Sequence, residues 1–155
     1  YILKEVEKIT DLQEPTAKMS KSSSSPQGVL DLLDQPNALR KKIMRAVTDT
    51  GTEIIADEEN KPGITNLLRI YSALTGTPIP DLEKRFAGQG YGAFKKEVAE
   101  AVLETFTPIR ERTERLLADE AELDKMLAVG AQRAREVARA TMARVRERVG
   151  FLPIG

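Results

Sequence analysis

The stretch that decides the fold is PGITNLLRIYSALTG, which runs from Pro62 to Gly76. Proline is favoured at the first position of a helix, and glycine is favoured directly after the last. The apolar residues between them have the spacing of one face of an α-helix, and they are Ile64, Leu67, Leu68, Tyr71 and Leu74. The stretch therefore predicts a helix that begins at Pro62, ends before Gly76 and turns one face into a hydrophobic core.

Helical patterns continue on both sides of this stretch. Before it, Asp34 is a suitable N-cap for a helix whose apolar stripe contains Leu39, Ile43 and Val47. After it, Pro80–Phe86 predicts a short helix. The residues from 1 to 12 carry no helical stripe and predict a short extended segment.

The C-terminal part predicts three further helices. A long helix begins near Ala93, and Pro108 is expected to kink or restart it, because proline lacks the N–H donor and crowds the preceding turn. A short acidic helix covers Asp119–Leu127, and a last helix follows Gly130. Its predicted inner face is formed by Ala134, Ala138, Thr141 and Val145, and its outer face by Arg133, Arg135, Arg139, Arg144, Arg146 and Arg148. We therefore expect a mainly α protein, a helical bundle preceded by a short extended segment.

Composition excludes several kinds of chemistry. The 155 residues include no cysteine and no histidine, so disulfides, thiol catalysis, histidine bases and the usual transition-metal ligands are excluded, and no metal site is predicted. Lys+Arg and Asp+Glu balance at 24 each, so a polyanion would have to meet a local basic patch. No apolar stretch predicts a membrane span or a leader, which favours a cytoplasmic protein.

The segment KMSKSSSSPQ, Lys18 to Gln27, carries the clearest chemistry, and we call it the lysine loop. Small hydroxyl-bearing residues predict a flexible loop, and two lysines stand near its start. Such a loop can close over a triphosphate, with ammonium groups, hydroxyls and backbone N–H groups directed at the phosphate oxygens. The alternative is a solvated Ser/Lys linker, because such compositions are common on protein surfaces.

The pentapeptide Lys18-Met19-Ser20-Lys21-Ser22 is identical to the KMSKS signature of class I aminoacyl-tRNA synthetases. Further similarity follows in chain order, in LLDQP (32–36), KKI (41–43), AVTD (46–49), KPGITNLLRIYS (61–72), GQGYGAFK (88–95) and PIRER (108–112). Together these segments cover nearly the whole chain. The chain thus resembles the C-terminal portion of the bacterial tryptophanyl-tRNA synthetases.

The resemblance implies a tryptophan–tRNA ligase, which activates tryptophan with ATP and Mg²⁺ and transfers it to tRNA(Trp). Lys21 would stabilise the departing pyrophosphate, and Lys18 would assist. Met19 would pack near the adenine, and Ser20 and Ser22 would donate hydrogen bonds in the loop as part of the ATP-binding segment. The full protein is expected to be a homodimer.

The resemblance also implies a division of the chain at 33/34. Residues 1–33 would be the C-terminal end of a Rossmann-type catalytic domain with the KMSKS loop, and residues 34–155 a helical domain like the family's anticodon-binding domain. The family's other ATP motif contains histidine, so a chain without histidine cannot carry it. We therefore expect the rest of the catalytic domain to be absent and this chain alone to be inactive.

Two basic clusters are candidates for contact with tRNA, and they are Arg40, Lys41, Lys42 and Arg45 in the first helix and Arg135 and Arg139 in the last. The alternative is a solvated helix face, because arginine and glutamate alternate in the last helix. Two rivals to the enzyme stay open, a stand-alone helical RNA- or protein-binding module without catalytic activity and a purely structural helical domain. The reading frame upstream of Tyr1 would separate the enzyme from the module.

Overall fold

The computed structural model describes residues 8–20 and 25–150. Within these ranges five α-helices follow a 3-10 turn at Pro26–Gly28, and they are α1 (Pro36–Met44), α2 (Pro62–Thr75), α3 (Ile79–Arg85), α4 (Tyr91–Ala118) and α5 (Glu120–Val149). Extended backbone pairs in the described residues at one antiparallel bridge, between Thr10 and Lys18. The predicted mainly α class is confirmed. None of the described helices is both long enough and apolar enough to cross a membrane.

The described residues divide into two compact units, one that ends at Arg110 and one that begins at Glu111. The first unit contains the N-terminal segment, helices α1 to α3 and most of α4. The second contains the end of α4 and all of α5. The predicted division at 33/34 separates parts by their expected roles in a larger enzyme, and it stays a prediction.

Helix α2 provides much of the core of the first unit. Nine of its 14 residues are buried, and Ile64, Leu67 and Leu68 are completely inaccessible to solvent. Tyr71 packs edge-on against Phe86, and Phe86 packs in the same way against Phe94, with ring centroids 5.9 and 4.9 Å apart. The remaining core is supplied by Leu12, Leu39, Ile43, Ile54, Leu82, Val98, Ala99 and Val102. The helix predicted from the central stretch is therefore confirmed, including Gly76, which ends it in the left-handed conformation.

The start of α2 lies directly against the backbone that follows α1. A Cβ atom on Gly63 would stand 2.1 Å from the carbonyl oxygen of Val47, far inside van der Waals contact. Glycine is therefore required at Gly63 by the close approach of another chain segment, even though glycine lowers helix propensity.

Helix α1 differs from its prediction at both ends. Its N-cap is Gln35, and the Asp34 carboxylate instead accepts a hydrogen bond from Lys42 Nζ. The helix ends at Met44, so the predicted apolar stripe, which reaches Val47, extends beyond the helix. Beyond the helix, Val47 donates its N–H to the carbonyl of Leu12 (2.8 Å) and leaves its side chain exposed. The N–H of Val47 thus forms a long-range backbone hydrogen bond in place of the helical one that the apolar stripe predicted.

The C-terminal helices are longer than predicted. Helix α4 continues through Pro108, so the predicted restart at this residue is wrong. Helix α5 continues through Gly130, so the two separate helices predicted there form one. A mid-helix glycine costs only about 1 kcal/mol relative to alanine, and the surrounding sequence is rich in strong helix formers. The predicted inner face of small residues is also wrong, because no residue of α5 is buried.

Candidate functional site

The start of the lysine loop is held in a short two-stranded pairing. Thr10 and Lys18 face each other, and the hydrogen bonds come from their neighbours. Asp11 N–H donates to Ala17 O (2.9 Å), and Met19 N–H donates to Ile9 O (3.3 Å). We call residues 9–11 and 17–19 the loop base. Because backbone bonds flank Lys18 on both sides, its Cα position is fixed although its side chain is exposed.

A tight turn closes the loop base. The Asp11 carboxylate is buried and accepts hydrogen bonds from the N–H groups of Gln13 (2.8 Å) and Glu14 (3.1 Å), which fixes the turn. Gly28 lies against this carboxylate so closely that a Cβ atom there would stand 1.9 Å from Oδ1. Gly28 O also accepts a hydrogen bond from Leu12 N–H (2.9 Å). The lysine loop therefore leaves and returns to the protein at the same place.

The predicted ATP-binding residues divide into two groups. Lys18 and Ser20 are exposed, and Met19 is half-buried against the hydrophobic core. Lys21 and Ser22 lie outside the described residues. The structure thus brings Lys18, Met19 and Ser20 together at the loop base, and the assignment of the five residues to ATP stays a prediction.

The first predicted basic cluster lies on α1 and its C-cap residue, Arg45, and its members differ in exposure. Arg40, Lys41 and Arg45 are exposed, and Arg40 forms an ion pair with Glu100 (2.6 Å). Lys42 is buried, and its ammonium group donates to Val29 O (2.9 Å) and to the Asp34 carboxylate. Lys42 therefore has its hydrogen-bonding capacity engaged within the protein. Among the four, we expect Lys41 and Arg45 to be the most available to an external anion.

Arg135 and Arg139 lie one helical turn apart on α5, in the second compact unit, and both are exposed. This spacing places both guanidinium groups on the same face of the helix. The structure therefore keeps the second predicted pair together on one surface.

Sequence reasoning missed a polar cluster formed by Asp49, Lys61 and Tyr91. The Tyr91 hydroxyl donates to the Asp49 carboxylate (2.8 Å), and Lys61 Nζ donates to the same hydroxyl (3.0 Å). Asp49 Oδ1 also accepts the N–H of Gly51 (2.7 Å), two residues further along the chain. The cluster joins Asp49 in the α1–α2 connection to Lys61, the N-cap residue of α2, and to Tyr91, the first residue of α4. These three residues are dispersed in sequence, so no local pattern identifies the cluster.

The cluster also shifts the pKa values of its members. Burial alone would raise the pKa of the Asp49 carboxyl, but the Tyr91 hydroxyl, the Gly51 N–H and the Lys61 ammonium together hold it below its ordinary value. The hydrogen bond to Tyr91 raises the pKa of Lys61 despite partial desolvation. Burial raises the pKa of the Tyr91 hydroxyl. At neutral pH the cluster is therefore a carboxylate and an ammonium bridged by a neutral phenol.

Known proteins with similar sequence or structure agree on one family. Residues 4–107 match the model of the tRNA synthetases class I (W and Y). The tryptophan–tRNA ligase 2 of Streptomyces avermitilis is 56% identical over 153 residues, which cover 99% of this chain and 45% of that protein. The chain thus spans slightly less than half the length of this relative.

Two solved structures have the same fold. The tryptophanyl-tRNA synthetase of Mycoplasma pneumoniae matches with a TM-score of 0.83 and 31% identity, over 97% of this chain and 47% of that one. The Campylobacter jejuni tryptophanyl-tRNA synthetase, crystallised with ADP and tryptophan, matches with a TM-score of 0.70 and 30% identity, over 97% of this chain and 46% of that one. The resemblance to bacterial tryptophanyl-tRNA synthetases is thereby confirmed, and the chain belongs to the class I tRNA synthetases of the tryptophan and tyrosine group.

Proposed function

We propose that this chain is part of a tryptophan–tRNA ligase and supplies its KMSKS loop and its helical tRNA-binding body. The complete enzyme joins tryptophan to ATP as the adenylate, releases pyrophosphate, and transfers the tryptophanyl group to tRNA(Trp). The observation that carries the proposal is the KMSKS sequence on a loop whose two ends are both bonded to the backbone of residues 9–12. A fixed base with a reach of several residues suits a segment that closes over a nucleotide.

The lysines of the loop act by charge. The tryptophan carboxylate attacks the α-phosphate, and negative charge develops on the departing pyrophosphate. Lys21 stabilises this charge, and Lys18 assists from the fixed loop base. Met19 packs near the adenine, and Ser20 and Ser22 donate hydrogen bonds to the nucleotide or within the loop.

Mg²⁺ is proposed only as a companion of ATP. The described residues contain no group of three or more acidic side chains that could hold a metal ion. Magnesium usually binds to substrate phosphates and keeps several of its waters, so a protein cage is not required. In the proposed reaction no residue of this chain acts as a ligand of Mg²⁺.

For tRNA we propose contacts from Arg40, Lys41 and Lys42 on α1, from Arg45 directly after it, and from Arg135 and Arg139 on α5. Exposed guanidinium and ammonium groups suit the phosphate backbone, which dominates the affinity for nucleic acids. Lys42 contributes least, because Val29 and Asp34 already occupy its donors. The dimeric state of the complete enzyme and its cytoplasmic location are proposed from the family alone, as is the role of residues 1–33 as the end of the catalytic domain.

The adenylation proposal is tested in the protein that the complete reading frame encodes. Tryptophan-dependent pyrophosphate exchange should fall by about 100-fold or more in Lys21→Ala, while the affinity for ATP changes much less, because the charge develops in the transition state. An unchanged rate would remove Lys21 from the mechanism. The 155-residue chain by itself should show no exchange. Measurable exchange would overturn the expectation that the rest of the active site is not part of this chain.

The tRNA proposal is tested by filter binding over a range of salt concentrations. Replacing Arg135 and Arg139 together by alanine should weaken binding and reduce the salt dependence by about one ion per lost phosphate contact. Lys84→Ala is the control, because Lys84 is also an exposed cation but lies on α3. Equal effects of the control and the test variants would indicate a general charge effect and no site on α5. The stand-alone binding module is not favoured, but tRNA binding by the complete protein without any exchange activity would support it.

A further inference from the structure

The backbone of Thr10 has two hydrogen-bonding groups that the loop base does not use. In an antiparallel pair, residues that face each other without exchanging hydrogen bonds direct their N–H and C=O groups away from the partner strand. Thr10 and Lys18 form such a pair, since the bonds come from Asp11, Ala17, Ile9 and Met19. In a larger sheet a third strand would pair with the outward groups of Thr10. Here a helix occupies that side.

The side chain of Asn66, in the middle of α2, takes the place of the third strand. Thr10 N–H donates to Asn66 Oδ1 (2.9 Å), and Asn66 Nδ2 donates to Thr10 O (2.8 Å). Both hydrogen bonds are buried, and Asn66 is 2% exposed. A carboxamide presents one acceptor and one donor side by side, as a peptide group does, so it satisfies both backbone groups at once.

This arrangement requires asparagine for chemical reasons. Aspartate of the same size has no donor for the carbonyl of Thr10 and would place a charge against it in a buried site. Alanine would leave a buried N–H and a buried C=O without partners, which is costly because neither regains its bond to water. The requirement for asparagine at Asn66 therefore comes from the backbone of Thr10, 56 residues earlier in the chain, and not from core packing alone.

The two bonds also fix the position of Lys18. Asn66 holds Thr10, and the bonds of Asp11 and Met19 hold the strand of Lys18 against Thr10. The Cα atom of Lys18 thus has a set position relative to α2, the most buried of the described helices. We propose that Asn66 is a positioning residue for the ATP-dependent step, which sets the place from which Lys18 reaches the nucleotide. This inference rests on the proposed function, because it assigns Asn66 a role in that same reaction.

The test is a double-mutant cycle in the protein that the complete reading frame encodes. Pyrophosphate exchange is measured for the wild type, Asn66→Ala, Lys18→Ala and the double variant, with separate values of kcat and KM for ATP and for tryptophan. A displaced catalytic group costs up to about 100-fold, so Asn66→Ala should lower kcat/KM for ATP by about 10- to 100-fold. The KM for tryptophan should stay within about twofold. In the Lys18→Ala background the Asn66 substitution should change kcat/KM for ATP by less than about threefold, because residues that act through one another are not additive.

A destabilised protein must be distinguished from a displaced loop. Leu82→Ala is the control, because Leu82 is completely buried on α3 and its truncation should lower Tm without changing the KM for ATP. Asn66→Asp keeps the side-chain volume and should reproduce the kinetic defect of Asn66→Ala. Hydrogen exchange of the wild type provides evidence that does not depend on folding of any variant, and the Thr10 amide should be protected as strongly as the amides of α2.

The possible outcomes distinguish failure of the positioning role of Asn66 from failure of the proposed function. Three results would overturn the positioning role: full additivity of the Asn66 and Lys18 effects, an equal loss of kcat/KM for ATP in Leu82→Ala, or rapid exchange of the Thr10 amide. If Lys18→Ala and Lys21→Ala both leave exchange unchanged, the proposed function fails instead. A large effect of the lysines with none of Asn66 leaves the function standing and refutes only the inference.

Discussion

Helices α2 and α5 lie at opposite extremes of burial within the part of the chain that the structure describes. Helix α2 buries nine of its 14 residues, whereas α5 buries none of its 30. Helix α5 instead has local stabilising features. Asp119 caps it by accepting the N–H of Glu122 (3.0 Å), and Gly150 ends it in the left-handed conformation. The comparison indicates that α2 is specified by tertiary packing and α5 by caps and propensity.

The largest expected difference between the two helices comes from removing apolar side chains. Leu67→Ala, in the core face of α2, should lower the free energy of unfolding by about 2–5 kcal/mol, because it leaves a cavity among residues that cannot fully collapse. Val137→Ala, on α5, should change it by less than about 0.5 kcal/mol, since that side chain is 72% exposed. Urea unfolding of both variants provides the measurement. Similar losses at the two positions would contradict the contrast in burial.

The next effect concerns one glycine in α2. Gly63→Ala should cost about 1–3 kcal/mol, because the new methyl group meets the carbonyl of Val47 and the backbone must shift. Thermal unfolding would show the loss as a lower Tm. A variant as stable as the wild type would mean that the α1–α2 connection can move away freely.

The matched change in α5 should have the opposite sign. A Cβ atom on Gly130 meets nothing within 4 Å, so Gly130→Ala should raise the free energy of unfolding of this helix by about 0.5–1 kcal/mol. Far-UV circular dichroism during heating would report the gain. A loss of stability would indicate that Gly130 lies close to a segment that is not among the described residues.

The smallest effect is expected from acid titration of Asp49, which helps hold α2 in place. The folded pKa of Asp49 lies below its ordinary value of 3.8, so its contribution to stability is present above that value and is lost as the pH falls through the folded pKa. An asparagine at this position cannot titrate, so Asp49→Asn should be less stable at neutral pH and lose less stability between neutral and acid pH. Urea midpoints at several pH values give the comparison. Parallel curves for the two proteins would exclude Asp49 as a source of the pH dependence.

The sequence predicted α2 well because its local signals agree with its packing. Pro62, the apolar stripe and Gly76 each mark the same element, and the structure has the same bounds. Helix α1 shows why other bounds failed. Val47 fits the apolar stripe of α1, but its N–H bonds to Leu12, and a local window does not contain that partner.

The candidate site, like the helices, was predictable only where its signal is contiguous in the sequence. The KMSKS letters predicted an ATP-binding role for the lysine loop, because that signal is contiguous, and the assignment stays a prediction. Asn66 gave no signal of its own, since its partner is the backbone of a residue 56 positions earlier. The Asp49, Lys61 and Tyr91 cluster was missed for the same reason. Contacts between segments that are distant in sequence can be recognised only in the three-dimensional structure. Helix caps, apolar stripes and signature motifs can be recognised in the sequence.

The shared endpoint of the lysine loop has a consequence for how this segment tolerates changes in length. Met19 is bonded to Ile9 and Gly28 to Leu12, so serines added after Ser22 would lengthen only the span between these two anchored points. Doubling the length of a closed loop costs only about 0.6 kcal/mol in entropy. The reach of the second lysine can thus be adjusted, by evolution or by design, while the helices behind it keep their register.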